Sequence, residues 1–253
     1  MTLTSVRCTL CENKFGRYAV PIASEHRPVP QAILRGEVWE PETLDFILTH
    51  LDGKSVVDAG TYFGDFLPAL SAAVGQAQKV YGFEPQPENF ACAQWTRRLN
   101  GLNNVELANA GLGEGRAHGK MVTAQNGLEM GGASYIVQGD KVEPNAGGFK
   151  EVAIVALDDA LPGDADIGVI HLDVEGYELP ALRGAMRTIA RCRPHLLLEN
   201  TPIDVLEREL GPLGYHFVTV IEGNALVSPL PGKAAAMSDP KRRRGLTALF
   251  SRR

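Results

Sequence analysis

The sequence predicts an α/β fold: a doubly wound, mostly parallel sheet of seven strands with helices on both faces. Three observations carry that expectation. VVDAGTYFG, Val56 to Gly64, reads as a buried strand running into a glycine turn and a helix. VYGFEP reads as a second strand ending in Glu84, about 20 residues past the turn, where a carboxylate can accept both hydroxyls of a ribose. Strand and helix patterns then alternate along the chain, which implies parallel pairing through right-handed crossovers.

Each element has its own signal. Residues 1–38 form an N-terminal extension broken by Pro21, Pro28 and Pro30. A main domain is expected over 39–230. It opens with a helix that has Pro41 just inside its start, then Leu44, Ile47, Leu48 and Leu51 at helical spacing. KSVVDAG is the first strand, DFLPALSAAVG a helix and KVYGFEP the second strand. QPENFACAQWTRRLNG is a helix ending at Gly101, and NVELANAGLG is the third strand.

The rhythm breaks over 118–155, where Gly127, Gly131, Gly132, Gly139, Gly147 and Gly148 punctuate short β-prone pieces. A β-hairpin insert, an antiparallel flap, is expected there. IGVIHLDVEG is the next strand, YELPALRGAMRTIARC one helix, PHLLLEN a strand and PIDVLERELGPLG a helix. YHFVTVIEG and ALVSPL close the sheet with one antiparallel strand. Residues 231–253 read as a basic flexible tail carrying Lys241, Arg242, Arg243, Arg244, Arg252 and Arg253.

Composition bounds the function. The chain has 253 residues, 44% of them hydrophobic, enough for one large domain with a substantial core. A net charge of −5 gives no general case for binding nucleic acid, and none specific is expected. No apolar run is long enough for a signal peptide or a transmembrane segment, so a cytoplasmic protein is expected. Cys8 and Cys11 form a C-x-x-C without a second ligand pair, a poor zinc site, and Cys92 and Cys192 read as core thiols.

The glycines of the first turn select the ligand. A dinucleotide site wants G-x-G-x-x-G, so that backbone can touch a pyrophosphate. Here only Gly60 is present, and Tyr62 and Asp65 occupy the second and third glycine positions. A ring and a carboxylate repel a pyrophosphate but suit adenosine without phosphate, and S-adenosylmethionine (SAM) is such a ligand. In an open sheet the strand ends converge at the switch point. They bring Asp58 with Gly60, Glu84, Asn109 to Leu112, Asp173 with Glu175, and Glu199 with Asn200. Glu84 suits the ribose, while Asp58 and Asp173 suit the cationic ammonium and sulfonium. Each residue also has a plainer reading: turn glycines at 60 and 64, helix caps at Glu84 and Asp173. Four such coincidences at consecutive strand ends favour the nucleoside site.

These residues resemble the FkbM family of SAM-dependent methyltransferases over about Trp39 to Glu199. WEPET at Trp39 to Thr43 is similar to the family's aromatic-Glu-Pro segment, and VVDAGTYFG to its viDvGAniG. FEPQPENF and VALDDAL match further signatures. IHLDVEGYELPALRGA, Ile170 to Ala185, is the most specific piece. Thr61 and Tyr62 stand where the family usually has alanine and asparagine, and His171 where lysine is common.

The resemblance implies a class I methyltransferase (Rossmann-like) fold. It implies a cofactor site of Glu40, Asp58, Gly60, Tyr62, Phe63, Gly64, Glu84, Pro85, Asn109, Ala110, Gly111 and Asp173. It also implies O-methyl transfer to a hydroxyl of a small-molecule or glycan acceptor.

Asp173 is the first candidate for shaping the methyl-transfer site. His171 is a candidate base, weighed against a packed core histidine, and His118 near the flap is another. Asp173, Glu199 and Asn200 resemble the acid, acid and asparagine set of magnesium-dependent catechol-type methyltransferases. They are candidate Mg²⁺ ligands, weighed against loop hydrogen bonding. Two other functions stand beside methyl transfer: a nicotinamide-dependent oxidoreductase, which the missing glycines oppose, and a non-catalytic SAM-binding or scaffold protein. Oligomeric state has no signal in the sequence.

Overall fold

The computed structural model describes residues 6–139 and 145–229, so the basic segment from 231 lies outside the described residues. The N-terminal region holds an antiparallel hairpin of β1 (Cys8–Asn13) and β2 (Gly16–Pro21). Helix α1 (Pro28–Leu34) follows, then α2 (Pro41–Thr49); each carries proline in its first turn, where a missing N–H is harmless. Tyr18, Val20 and Ile33 are buried in one cluster with Tyr62, Phe63 and Cys92. Residues 8–34 are thus packed onto the main domain.

The main domain then runs β3 (Ser55–Ala59), α3 (Leu67–Val74), β4 (Val80–Phe83), α4 (Pro87–Leu99) and β5 (Val105–Ala108). The Gln86 side chain caps α4 by accepting the N–H groups of Glu88 and Asn89. Asn100, just past α4, donates its Nδ2 to Arg17 O and accepts Arg17 N–H, which clamps the hairpin to this helix.

The insert is larger than a hairpin. It comprises β6 (Gly111–Leu112), β7 (Ala117–Gln125), β8 (Leu128–Glu129), β9 (Tyr135–Ile136) and β10 (Ala146–Val155). The antiparallel pair of β7 and β10 is its spine; β6 joins β10 in parallel, and β8 and β9 lie against β7. Met121, Ile136, Val152 and Ile154 cluster on one face.

The chain returns to the main sheet through α5 (Leu157–Ala160), β11 (Ile167–Leu172), α6 (Glu178–Arg183), α7 (Met186–Cys192) and β12 (His195–Glu199). It ends with α8 (Ile203–Leu210), β13 (His216–Ile221) and β14 (Asn224–Ser228). The single helix expected over 177–192 is two helices. They break at Gly184, where a Cβ would lie 1.9 Å from Gly113 O, so two backbones touch there.

The sheet order is β13-β14-β12-β11-β3-β4-β5, seven strands, with β14 alone running against the other six. The middle strands are buried on both faces, as parallel strands covered by helices must be. Val57, Ile170 and Leu172 pack with Leu182 and Ile189 on one side; Val56, Val169 and Leu197 pack with Leu44 and Leu70 on the other. Chain order reverses between β3 and β11. The strand ends there leave a crevice at the carboxyl edge of the sheet.

Candidate active site

The turn after β3 builds the floor. Gly60 has φ +87°, and its N–H donates to Phe83 O at 2.9 Å. A Cβ on Gly60 would lie 1.7 Å from Asp173 O, so the ends of β3 and β11 meet only because this residue is glycine. Tyr62 takes the left-handed conformation, φ 53°, and its hydroxyl sits 2.7 Å from Ser24 Oγ. Its ring lies under Gly131 and Gly132 of the insert. The Tyr62 N–H donates to Glu84 Oε2 at 2.9 Å and the Gln86 N–H to Glu84 Oε1 at 2.8 Å, which fixes the carboxyl at the end of β4.

Two chambers meet over Gly60, Gly132, Asp173 and Glu175. The larger, about 230 Å³, is lined by Glu40, Asp58, Asp65, Asp173, Glu175 and Glu199, with His171 and Arg27. The smaller, about 30 Å³, has Glu84 and Pro85 on one wall, Gly111 and Leu112 on another, and Met121, Ile136 and Tyr177 closing it.

Crowded carboxyls in a crevice resist ionisation. Burial raises Glu40 above the usual carboxylate range. Burial, with the charge of Asp58 adding, raises Asp65 to about 7. Burial raises Glu84 to about 8 despite its two backbone donors. Burial raises Asp173 well above its ordinary value, helped by the charge of Glu199 and by a hydrogen bond to it. Burial pulls His171 down, but the hydrogen bond and charge of Asp58, then Glu40 and Asp65, carry it above 6.5. Its Nδ1 lies 3.0 Å from Asp58 Oδ1, and its ring stacks on Phe66 at 5.7 Å. His171 Nε2 and Glu199 Oε2 are buried with no hydrogen-bond partner among the described residues.

Of the residues singled out from sequence, Glu40, Asp58, Gly60, Tyr62, His171, Asp173 and Glu199 line the larger chamber. Glu84, Pro85, Gly111 and again Asp173 line the smaller. Four expected cofactor contacts line neither. Phe63 is fully buried among Tyr18, Val20 and Ile33. Gly64, φ +84°, abuts the Leu67 side chain. Asn109 spends its Nδ2 on the carbonyls of Glu84 and Pro85, at 2.9 and 3.1 Å, and so holds that loop. Ala110 is buried beside it.

Asn200 is exposed in a turn, and the third acid near Asp173 and Glu199 is Glu175 instead. One oxygen from each of these three lies within 4.8 Å of the others. His118 is exposed on β7 and lines neither chamber. Cys92 and Cys192 are buried free thiols, and Cys8 and Cys11 are half-buried on β1.

Several wall residues escaped the sequence reading. Asp65 was visible at a glycine position of the fingerprint. Arg27, Trp39 and Phe66 line the larger chamber from positions that carry no motif for this role. Asn224 donates to Glu40 Oε2 at 3.1 Å from the far edge of the chain.

The residue types fit SAM, on two observations. The orphaned Glu199 oxygen and the carboxyls lifted by burial call for a cation beside them. Glu84, held by the Tyr62 and Gln86 N–H groups and by the Asn89 side chain, still has acceptor capacity to receive a hydroxyl.

A seven-stranded sheet in this order, with an acid-lined crevice at its switch point, defines a class I methyltransferase fold. The chain belongs to the FkbM methyltransferase family: residues 58–216, more than half of its length, match the methyltransferase FkbM domain. SAM is the methyl donor of that family, and the nicotinamide alternative is set aside on this ground.

Solved structures similar to it include a methyltransferase FkbM from Methylobacillus flagellatus KT, 20% identical with a TM-score of 0.49. That match covers 69% of this chain and 43% of the other, so the chain spans less than half of that protein's length. A SAM-dependent methyltransferase from Aquifex aeolicus is 18% identical with a TM-score of 0.41, over 80% and 92% of the two chains. M. jannaschii TYW2, solved in complex with AdoMet, is 13% identical with a TM-score of 0.44, over 90% and 86%. No curated protein matches the sequence. Among the described residues no helix is long and apolar enough to cross a membrane.

Proposed function

We propose that this chain transfers the methyl group of SAM to a hydroxyl oxygen of a small-molecule or glycan acceptor, with the Asp58–His171 pair taking up the hydroxyl proton. Bound in the crevice, SAM supplies an electrophilic methyl group on a sulfonium centre. Glu84 would accept the ribose hydroxyls, and Pro85, Leu112, Met121, Ile136 and Tyr177 would enclose the base. Glu40, Asp58, Asp65 and Asp173 would face the cationic end.

The observation that carries the oxygen assignment is the Asp58–His171 contact at 3.0 Å. With Asp58 accepting from Nδ1–H, the other ring nitrogen holds the lone pair. That nitrogen is buried and unpartnered, an arrangement that costs about 1–3 kcal/mol unless a ligand or water supplies the missing bond. A hydroxyl is a weak acid and needs a base as it attacks, whereas positioning alone supplies the rest of the rate. A net charge of −5 offers no basic surface for a phosphate backbone, so nucleic acid is not the substrate class proposed.

One observation favours a second reading of the same wall. Asp173, Glu175 and Glu199 offer three oxygens within 4.8 Å of one another. Octahedral Mg²⁺ ligands at about 2.1 Å stand up to about 4.2 Å apart, so a slight contraction would hold the ion. Mg²⁺ there would acidify a bound hydroxyl in place of the base.

Radiolabelled methyl transfer from SAM into a fractionated extract of the source cell, with and without excess chelator, tests both readings. An ether product formed at an undiminished rate in chelator supports the base. Loss of activity restored by Mg²⁺ supports the metal. SAM binding with no transfer would leave a non-catalytic SAM-binding protein.

A further inference from the structure

The larger chamber is lined by six acids, yet Arg27 is its one Lys or Arg. Its backbone is fixed on both sides: Arg27 N–H donates to Ser24 O at 2.9 Å, and Gln31 N–H donates to Arg27 O at 3.1 Å. Ser24 in turn meets the Tyr62 hydroxyl, so this short segment is tied to the floor of the site. The Arg27 side chain is half-buried. Among the described residues it makes no ion pair and no side-chain hydrogen bond, although carboxylates line the same cavity. An arginine that lines a crevice without a partner is open to an anion that arrives with a ligand, and its fork suits a carboxylate or phosphate best.

Position indicates which ligand. Pro28, Val29 and Trp39 line the chamber beside Arg27, and all come from the region before residue 40. The smaller chamber, which suits adenosine, takes its walls from residues 59–177. The wall around Arg27 is therefore built apart from the adenosine wall, as expected for a second ligand meeting the cofactor at Asp173. Trp39 adds a flat apolar surface next to the cation.

We propose that Arg27 is a specificity-determining residue which pairs with an anionic group of the methyl acceptor, so that the acceptor is a hydroxylated carboxylate or phosphomonoester. This rests on the methyl-transfer reading above. Methylation of the hydroxyl leaves the anion in place, so the product keeps its negative charge.

The test uses the full chain with Arg27→Ala and Arg27→Lys variants. Calorimetry measures the affinity of each for S-adenosylhomocysteine. Labelled SAM and cell extract give a methylated product, whose charge is read on an anion exchanger at pH 7. We expect unchanged S-adenosylhomocysteine affinity and an anionic product. For Arg27→Ala we expect kcat/KM lower by about 10- to 100-fold, mostly through KM, with part of the loss recovered in Arg27→Lys.

A neutral or cationic product overturns the proposal, and so does wild-type transfer by Arg27→Ala. A tenfold loss of S-adenosylhomocysteine affinity in Arg27→Ala overturns it differently, by showing that Arg27 holds the methionine carboxylate of the cofactor. Failure of the wild type to label any product, while S-adenosylhomocysteine still binds, removes the methyl-transfer reading and this proposal with it.

Discussion

The carbonyl oxygen of Asp173 lies 1.7 Å from where a Cβ on Gly60 would sit. The glycine of the first turn therefore does more than turn the chain. It lets the end of β3 close on the end of β11, and that closure puts Asp58, His171 and Asp173 into one wall.

Gly60→Ala should therefore cost more than about 3 kcal/mol of stability. The variant side chain collides with backbone, which cannot swing aside as a side chain can, and φ of +87° adds its own strain. Urea unfolding measures this. A midpoint within error of wild type would mean that the two strand ends are not in contact.

That contact shows what a sequence can and cannot convey. Buried strands, their order along the chain and the acids at their ends were legible, because apolar runs and glycine turns are local signals. Directions of side chains at those ends were not. Phe63 follows the fingerprint glycine yet turns into the hairpin cluster, and Asn109 folds back on the Glu84–Pro85 carbonyls. Asn200 and Glu175 both lie near strand ends, and only the turn geometry sets that the Glu175 carboxylate stands near Asp173 and Glu199 while Asn200 is exposed. Arg27 and Asn224 enter the site through tertiary packing from opposite ends of the chain, and no spacing in the sequence announces that.

The Asp58–His171 pair predicts a kinetic signature. His171→Asn and Asp58→Asn should each lower kcat by about 10²- to 10⁴-fold, the usual worth of a positioned base. Asp58→Asn acts by releasing the ring from its tautomer and orientation, so the double variant should be little worse than either single one. S-adenosylhomocysteine affinity should change only a few-fold in His171→Asn. A kcat within threefold of wild type in His171→Asn would make His171 a packing residue.

Asp65 predicts a pH dependence of stability. Its pKa is raised by burial from 3.8 to about 7, so the folded state keeps this proton after the unfolded chain has lost it. The advantage to the folded state is complete below about pH 4 and is lost as pH rises through 7. Asp65→Asn carries no titrating proton, so the stability difference, variant minus wild type, should grow over that window. A shift of this size corresponds to at most about 4 kcal/mol, and partial exposure of the carboxyl reduces the expectation to about 1–2 kcal/mol. Urea midpoints at pH 4.5 and 7.5 measure it, and a constant difference would contradict the burial argument.

The insert predicts gated binding. The smaller chamber, about 30 Å³, has room for only a few waters, so an adenine ring enters only if its walls part. Ile136 is the wall best placed to move. Its Cδ1 lies 2.8 Å from where a Cβ on Gly111 would sit, and it belongs to β9, a two-residue strand held at the edge of β7. Gly131 and Gly132 rest on the Tyr62 ring nearby, so the same movement uncovers the floor. Stopped-flow binding of S-adenosylhomocysteine should therefore show an observed rate that levels off with concentration at the opening rate of this segment. Ile136→Ala removes the side chain that fills the chamber and should raise that plateau. A rate that climbs linearly with concentration in both proteins would mean that the chamber is open to adenosine without any movement of the insert.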